Sequence, residues 1–272
     1  MREEIGYVHG YTVREEGRLY DQAQTLAELL HHDTVYGAGE RILEAGCGIG
    51  AQTRILASKN RRTRFTSIDL SAQSVARGRE EAELLGLSNV EFQVADVYRL
   101  PFDDDSFDHG FVCFLLEHLR DPRGALSELA RVVKPRGTMT IIEGDHGSAY
   151  FYPACTESER AIKALVRIQA EMGGNSLIGR QLYPLLDEAG LEDVTVSPRM
   201  VYADRTRPKL VEGFIRDTFT AMVEGVRDRA VSMGLFSVEE WEKGVRGLLR
   251  TMEPDGVFCY TFFKATGINP FK

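Results

Sequence analysis

Apolar and polar positions alternate along the first half of the chain in a regular order of short strands and amphipathic helices. Leu19, Ala23, Leu26, Ala27 and Leu30 recur at helical spacing, so a helix is predicted near 16–31, ended by Tyr36-Gly37-Ala38-Gly39. Strands are predicted at 41–45, 64–69, 90–95, 108–114 and 138–143, with helices at 51–58, 72–86 and 122–133 between them. Lys134-Pro135-Arg136-Gly137 reads as a turn before the fifth strand, because proline presets φ and glycine closes the bend. Alternation of this kind predicts a doubly wound α/β fold with a mostly parallel sheet. Its ligands then bind beyond the carboxyl ends of the strands, where strand order reverses.

The second half is mostly helical. Helices are expected near 156–172, 179–189, 208–233 and 238–252, with capping-box spacing at Thr156-x-x-Glu159 and Ser237-x-x-Glu240. Two further strands are expected at 192–202 and 256–264. This divides the chain into an N-terminal helical segment expected to cover the ligand site (1–37), a core (38–205 with 253–272) and a helical insertion (206–252). The insertion reads either as a lid or as a surface for self-association into a homo-oligomer.

Composition narrows the function. The 272 residues are 43% hydrophobic and 27% charged, as in ordinary globular proteins, and the formal net charge is −8. That sign argues against nucleic-acid partners, which require a basic face. No apolar run is long enough to span a bilayer, and Met1–Tyr11 lacks the apolar stretch of a secretory signal. No membrane partner and a cytoplasmic location are therefore expected. Cys47, Cys113, Cys155 and Cys259 form no Cys-x-x-Cys pair, and three of them sit in apolar or glycine-rich runs as small hydrophobes do.

The candidate chemistry begins at Ile42-Leu43-Glu44-Ala45-Gly46-Cys47-Gly48-Ile49-Gly50, a buried-strand pattern leading into a glycine turn and a helix. Glycines let backbone approach a ligand that a Cβ would block. Gly46, Gly48 and Ala51 also fit the dinucleotide fingerprint, so the turn alone leaves a nicotinamide cofactor open. Three acidic residues separate the readings. Glu44, just before the turn, would repel a pyrophosphate and suits an amino group. Asp69, in Ser67-Ile68-Asp69-Leu70-Ser71, is placed to accept from a ribose diol. Asp96, in Val94-Ala95-Asp96-Val97, can accept from an adenine amine, with Val97 or Leu70 packed on the ring. Ala45, Gln52, Thr53 and Ser71 complete the expected cofactor surroundings.

Read together, Leu43–Gly50, Ser67–Ser71, Val94–Asp108 and Leu115–Leu119 resemble class I S-adenosylmethionine-dependent methyltransferases of the ubiquinone/menaquinone-biosynthesis type. The resemblance spans roughly 38–145. It implies a seven-stranded sheet with an antiparallel last strand, S-adenosylmethionine as cofactor, and Phe114 with its neighbours, His118 among them, beside that cofactor. The helical second half departs from quinone methyltransferases. The overall plan is similar to small-molecule methyltransferases, including some that C-methylate indole-containing natural products.

For a small-molecule acceptor, the best base candidates are His146 and Asp145, in Glu143-Gly144-Asp145-His146-Gly147, since imidazole titrates near neutrality. Tyr20 and Tyr183 are further catalytic candidates, and Tyr7 and Tyr11 could cover the cofactor. Arg199 and Tyr202 are candidates for the acceptor cavity. No metal is expected: His31 and His32 are adjacent and face different ways on a helix. Two rivals remain: an NAD(P)-dependent oxidoreductase, which leaves Glu44 and Asp96 unexplained, and a non-catalytic protein that binds S-adenosylmethionine.

Overall fold

The computed structural model describes residues 13–270. Its elements are α1 (Val13–His31), β1 (Arg41–Ala45), α2 (Ala51–Lys59), β2 (Arg64–Asp69), α3 (Ala72–Leu84), β3 (Val90–Val94), β4 (Phe107–Cys113), α4 (Pro122–Val132), β5 (Val133–Tyr152) and α5 (Thr156–Glu171). They continue with α6 (Leu182–Glu188), β6 (Glu192–Ala203), α7 (Pro208–Leu210), α8 (Ala221–Gly225), α9 (Arg227–Ser232), α10 (Val238–Arg250) and β7 (Val257–Ile268). The seven strands form one sheet in the order β3-β2-β1-β4-β5-β7-β6. Pairings β1–β2, β2–β3, β1–β4 and β4–β5 are parallel. β7 runs antiparallel to β5, because Gly137 faces Asn269 while Ser148 faces Thr261.

Sequence order explains where a ligand can bind. The chain builds outward from β1 to β3, then returns to place β4 on the other side of β1. The segments leaving β1 and β4 therefore diverge at the switch point, where parallel sheets open a crevice. β1 is buried at four of its five positions, as a central parallel strand must be.

The chain divides into two compact units. One comprises residues 30–143, 178–198 and 263–270. Its core joins Leu43 and Ala45 of β1, Val112 of β4, and Met139 and Ile141 of β5 to Leu126 and Leu129 of α4 and Leu182 and Leu186 of α6. Burying each of the leucine, isoleucine, valine and methionine side chains contributes about 1.5–3 kcal/mol. Local signals set its helix starts. Ser71 caps α3 by accepting from Ser74 N at 3.2 Å, and Asp121 caps α4 by accepting from Gly124 N at 2.9 Å, with Pro122 in the first turn.

The other unit comprises residues 13–29, 144–177 and 199–262. Segment 206–252 falls within this unit, with 13–29 and 144–177. α5 packs against α10, where Ser158 Oγ donates to Gly244 O at 2.6 Å. Ser237 caps α10 with the reciprocal bonds expected of a capping box. Aromatic rings dominate the interior: Phe214, Phe219 and Phe258 are fully buried, with Phe219 5.0 Å from Phe258 and 5.4 Å from Tyr260.

Four sequence expectations change. Residues 134–137 are not a turn before a strand; they lie inside β5, which already pairs with β4 at Val133. Arg136 takes φ +65° there and the register shifts between Phe107 and His109, so the Pro-Arg-Gly run is absorbed as a bulge. β5 also continues past Glu143 to Tyr152, so Asp145 and His146 are strand residues, not residues of a following loop. Thr156 is the first residue of α5, whose cap is Cys155 without a side-chain bond, so its box does not form. The single helix expected at 208–233 is broken into α7, a π-helix at Val211–Thr220, α8 and α9. In the π-helix Thr218 Oγ1 donates to Gly213 O, five residues back, at 2.6 Å, a bond that suits the wider register.

Candidate active site

The glycine turn lies between β1 and α2 in the first unit. Gly46, Gly48 and Gly50 take φ of +73°, +52° and +78°. At Gly46 there is a second constraint: a Cβ would stand 2.8 Å from Leu115 Cδ1 and 2.9 Å from Leu115 Cβ. The turn is tied to β2, since Gly46 N and Cys47 N both donate to Ile68 O, at 2.8 and 2.9 Å. Gly48 N donates to Asp69 Oδ2 at 2.9 Å, and Ser71 N donates to Asp69 Oδ1 at 2.9 Å. Asp69 therefore fastens the glycine turn to the start of α3, and each oxygen keeps capacity to accept again.

Glu44 is almost fully buried. Its Oε2 accepts from Thr53 Oγ1 at 2.5 Å and Ser67 Oγ at 2.7 Å. Burial pushes its pKa up, the two hydroxyls oppose that, and the charge of Asp69 adds to it. Among the described residues no basic side chain pairs with this carboxylate, and both bonds fall on one oxygen. A buried carboxylate held this way is suited to a cationic group and hostile to a phosphate. The ammonium group of S-adenosylmethionine fits that chemistry.

Asp96 follows β3, and its Oδ1 accepts from Tyr98 N at 2.9 Å, which fixes the turn there. Leu70 is 67% exposed, so its side chain is available as a packing surface, and Val97 packs on the core. Ala45 is buried in the core and Ser71 caps α3. Thr53 spends its hydroxyl on Glu44, and Gln52 Oε1 lies 2.8 Å from His31 Nε2. His31 is buried among Lys264, Lys59 and Phe111, and burial drives its pKa down to about 4.

Beyond β4, Phe114 takes φ +58° and donates its N–H to Ile142 O at 2.9 Å. A one-turn 3₁₀ helix, Leu116–His118, follows, with His118 Nε2 3.7 Å from Glu117 Oε1. Its amino end is capped by a residue from β5: Glu143 Oε1 accepts from Leu115 N at 3.0 Å and Leu116 N at 2.7 Å.

The catalytic candidates fall in both units. Tyr183 is on α6 in the first unit, and its side chain is exposed. Tyr20, Asp145 and His146 belong to the second. There His146 Nδ1 lies 2.8 Å from the Tyr260 hydroxyl, and the ring sits edge-on to Phe219 at 6.2 Å. Asp145 Oδ1 accepts from Gly147 N at 3.0 Å. Tyr20 is half-buried on α1. Arg199 is half-buried on β6, and Tyr202, on the same strand, is stacked by Arg207 at 5.8 Å. Tyr7 and Tyr11 lie outside the described residues.

Sequence reasoning missed two participants, Ser67 and Tyr260, and misgrouped a third, Glu143. Ser67 and Thr53 clamp Glu44, and the alternation of β2 could have shown that Ser67 faces inward. Tyr260 carries no signal in sequence, being one aromatic residue in an aromatic strand. Glu143 was grouped with Asp145 and His146 by adjacency, yet its bonds go to the loop after β4.

Known proteins resemble this chain. The methyltransferase-domain family matches residues 43–141, the stretch that carries the glycine turn, Asp69, Asp96 and the loop after β4. A phosphatidylethanolamine N-methyltransferase of Cereibacter sphaeroides is 31% identical over 173 residues, covering 63% of this chain and 75% of that protein. A demethylmenaquinone methyltransferase of Clavibacter sepedonicus is 42% identical over 106 residues, 39% of this chain and 42% of its own length. The chain spans about half the length of several such curated relatives. In fold it is similar to the [4+2]-cyclase SpnF, with a TM-score of 0.57 at 22% identity over 93% of this chain and 82% of that one. The strand order, the acidic set around the glycine turn and these relationships agree: the chain belongs to the class I S-adenosylmethionine-dependent methyltransferases.

Proposed function

We propose that the chain transfers the methyl group of S-adenosylmethionine to a small-molecule acceptor. One observation carries this reading. A buried carboxylate, Glu44, stands before the glycine turn without a basic partner among the described residues, and Asp69 and Asp96 stand at the ends of the next two strands. An ammonium, a ribose diol and an adenine amine are the groups such a set accepts from.

The bound cofactor supplies a methyl already activated on a sulfonium. The protein's work is then to align an acceptor, exclude water and take a proton where the acceptor must lose one. We assign the last role to His146. In the tautomer whose Nδ1–H donates to the Tyr260 oxygen, Nε2 carries the lone pair that would take the proton. Tyr260 fixes the ring, and Phe219 and the buried aromatic interior keep that environment dry.

The finer reading is C-methylation of an indole-containing or other bacterial natural product. A 27-O-demethylrifamycin SV methyltransferase of Amycolatopsis mediterranei, 27% identical over 82% of this chain, supports the natural-product half of it. Its name denotes transfer to oxygen, so the carbon acceptor rests on the sequence resemblance alone. A second reading, a cofactor-binding protein that does not transfer the methyl, draws on the likeness to a [4+2]-cyclase, since a shared fold does not dictate chemistry.

Thermal stability with S-adenosylhomocysteine, and with NADH as control, tests the cofactor. At a hundredfold excess over Kd, binding stabilises the native state by about 2.7 kcal/mol. A rise with S-adenosylhomocysteine alone is expected; a rise with NADH alone would overturn the reading. Incubation with labelled cofactor and bacterial extracts then separates transfer from binding, because a non-transferring protein labels nothing.

A further inference from the structure

Glu143 closes β5's passage through the first unit with a fully buried carboxyl group. Its Oε1 accepts two backbone N–H groups, from Leu115 and Leu116. Its Oε2 is buried and has no partner among the described residues. Leaving a carboxyl oxygen unsatisfied in the interior costs stability, so its retention calls for a reason.

The reason lies two steps away. Phe114, just before the capped loop, is a non-glycine residue at φ +58°, a conformation that persists only where its surroundings over-determine it. Three bonds do so here: Phe114 N to Ile142 O, and Leu115 N and Leu116 N to Glu143. The side chain of Leu115, so fixed, occupies the space where a Cβ on Gly46 would stand. Glu143 is therefore connected to the first glycine of the turn through one side chain, with no contact of its own there.

We propose that Glu143 is a positioning residue of the cofactor site: through Leu115 it sets the wall that faces Gly46. The inference rests on the assignment of the glycine turn to the cofactor. Burial and the neighbouring charge of Glu117 push the Glu143 carboxyl well above its usual range, consistent with a group that acts through its accepting oxygen and not through its charge.

Two variants and two measurements test this. Glu143→Gln keeps an accepting oxygen at the same reach; Glu143→Leu does not. Calorimetry with S-adenosylhomocysteine is expected to show Glu143→Leu binding roughly tenfold or more weakly than Glu143→Gln. Amide exchange at Leu115 and Leu116, measured without ligand, is expected to accelerate in Glu143→Leu and to be restored in Glu143→Gln. Equal affinity of the two variants overturns the proposal, because a residue that merely fills space would not distinguish them. Should Glu143→Leu fail to fold, Leu115→Ala decides: weaker binding supports the wall at Gly46, and unchanged binding overturns it. Failure of the wild-type protein to bind S-adenosylhomocysteine would instead refute the cofactor assignment, while the amide exchange still reports whether Glu143 holds the loop.

Discussion

The unit containing the glycine turn places its informative polar groups at strand ends, whereas the unit containing His146 buries them among rings. In the first, Glu44, Asp69 and Asp96 each accept from hydroxyl or backbone donors close in space. In the second, Phe151 stacks on Phe258 at 6.0 Å, and Phe214 lies 5.4 Å from Tyr260. The imidazole of His146 meets a phenol there. Under the proposed assignment, the contrast teaches that backbone turns and short acidic side chains offer many fixed polar contacts to one ligand. An apolar interior with isolated polar groups instead offers shape and few fixed polar contacts.

Substitutions can break that division of labour. The largest effect is expected from His146→Ala, which should lower turnover by about 10²–10⁴-fold while leaving S-adenosylhomocysteine affinity near the wild-type value. Steady-state rates beside calorimetry check it, and undiminished turnover would remove His146 as the base. Phe214→Ala deletes a fully buried ring and should cost about 3–5 kcal/mol in urea unfolding. A loss below ~1 kcal/mol would mean that the aromatic interior is not a packed core.

A third effect belongs to the cofactor unit. His31 has a folded-state pKa lowered to about 4, against an ordinary value of 6.5. Between those values the unfolded chain binds a proton that the folded one refuses, so stability falls as pH drops from 6.5 towards 4. The loss approaches about 3 kcal/mol by the lower end. His31→Gln should flatten this part of a stability–pH curve; an unchanged slope would assign it to other groups. The smallest effect is expected from Asp69→Ala, which should weaken S-adenosylhomocysteine binding by about 1–3 kcal/mol. Unaltered affinity would leave Asp69 as a fastener of the turn only.

Much of the fold was legible. β1, β2 and β3 lie within a residue of their expected bounds because buried parallel strands read as short apolar runs between turn residues. The errors cluster where long-range pairing overrides local preference. Pro135 and Gly137 promise a turn, but pairing with β4 and β7 draws the run into β5. In the site, the acidic triplet was visible because each member lies at or just past the end of a recognisable strand. Glu143 was misgrouped because its bonds reach 28 and 27 residues back along the chain, which no spacing rule reports.

The sequence by itself determined the alternation of elements, the glycine turn and the acidic residues at three strand ends. All depend on near-neighbour patterns: apolar periodicity, glycine at positive φ, and the residue type that follows a strand. Only the tertiary structure decided which donors those carboxylates meet. Glu44 met Thr53 and Ser67, Asp69 met Gly48, Glu143 met Leu115 and Leu116, and His146 met Tyr260 across 114 residues. A buried polar group must find a partner wherever packing brings one, and packing brings together residues that the chain keeps far apart.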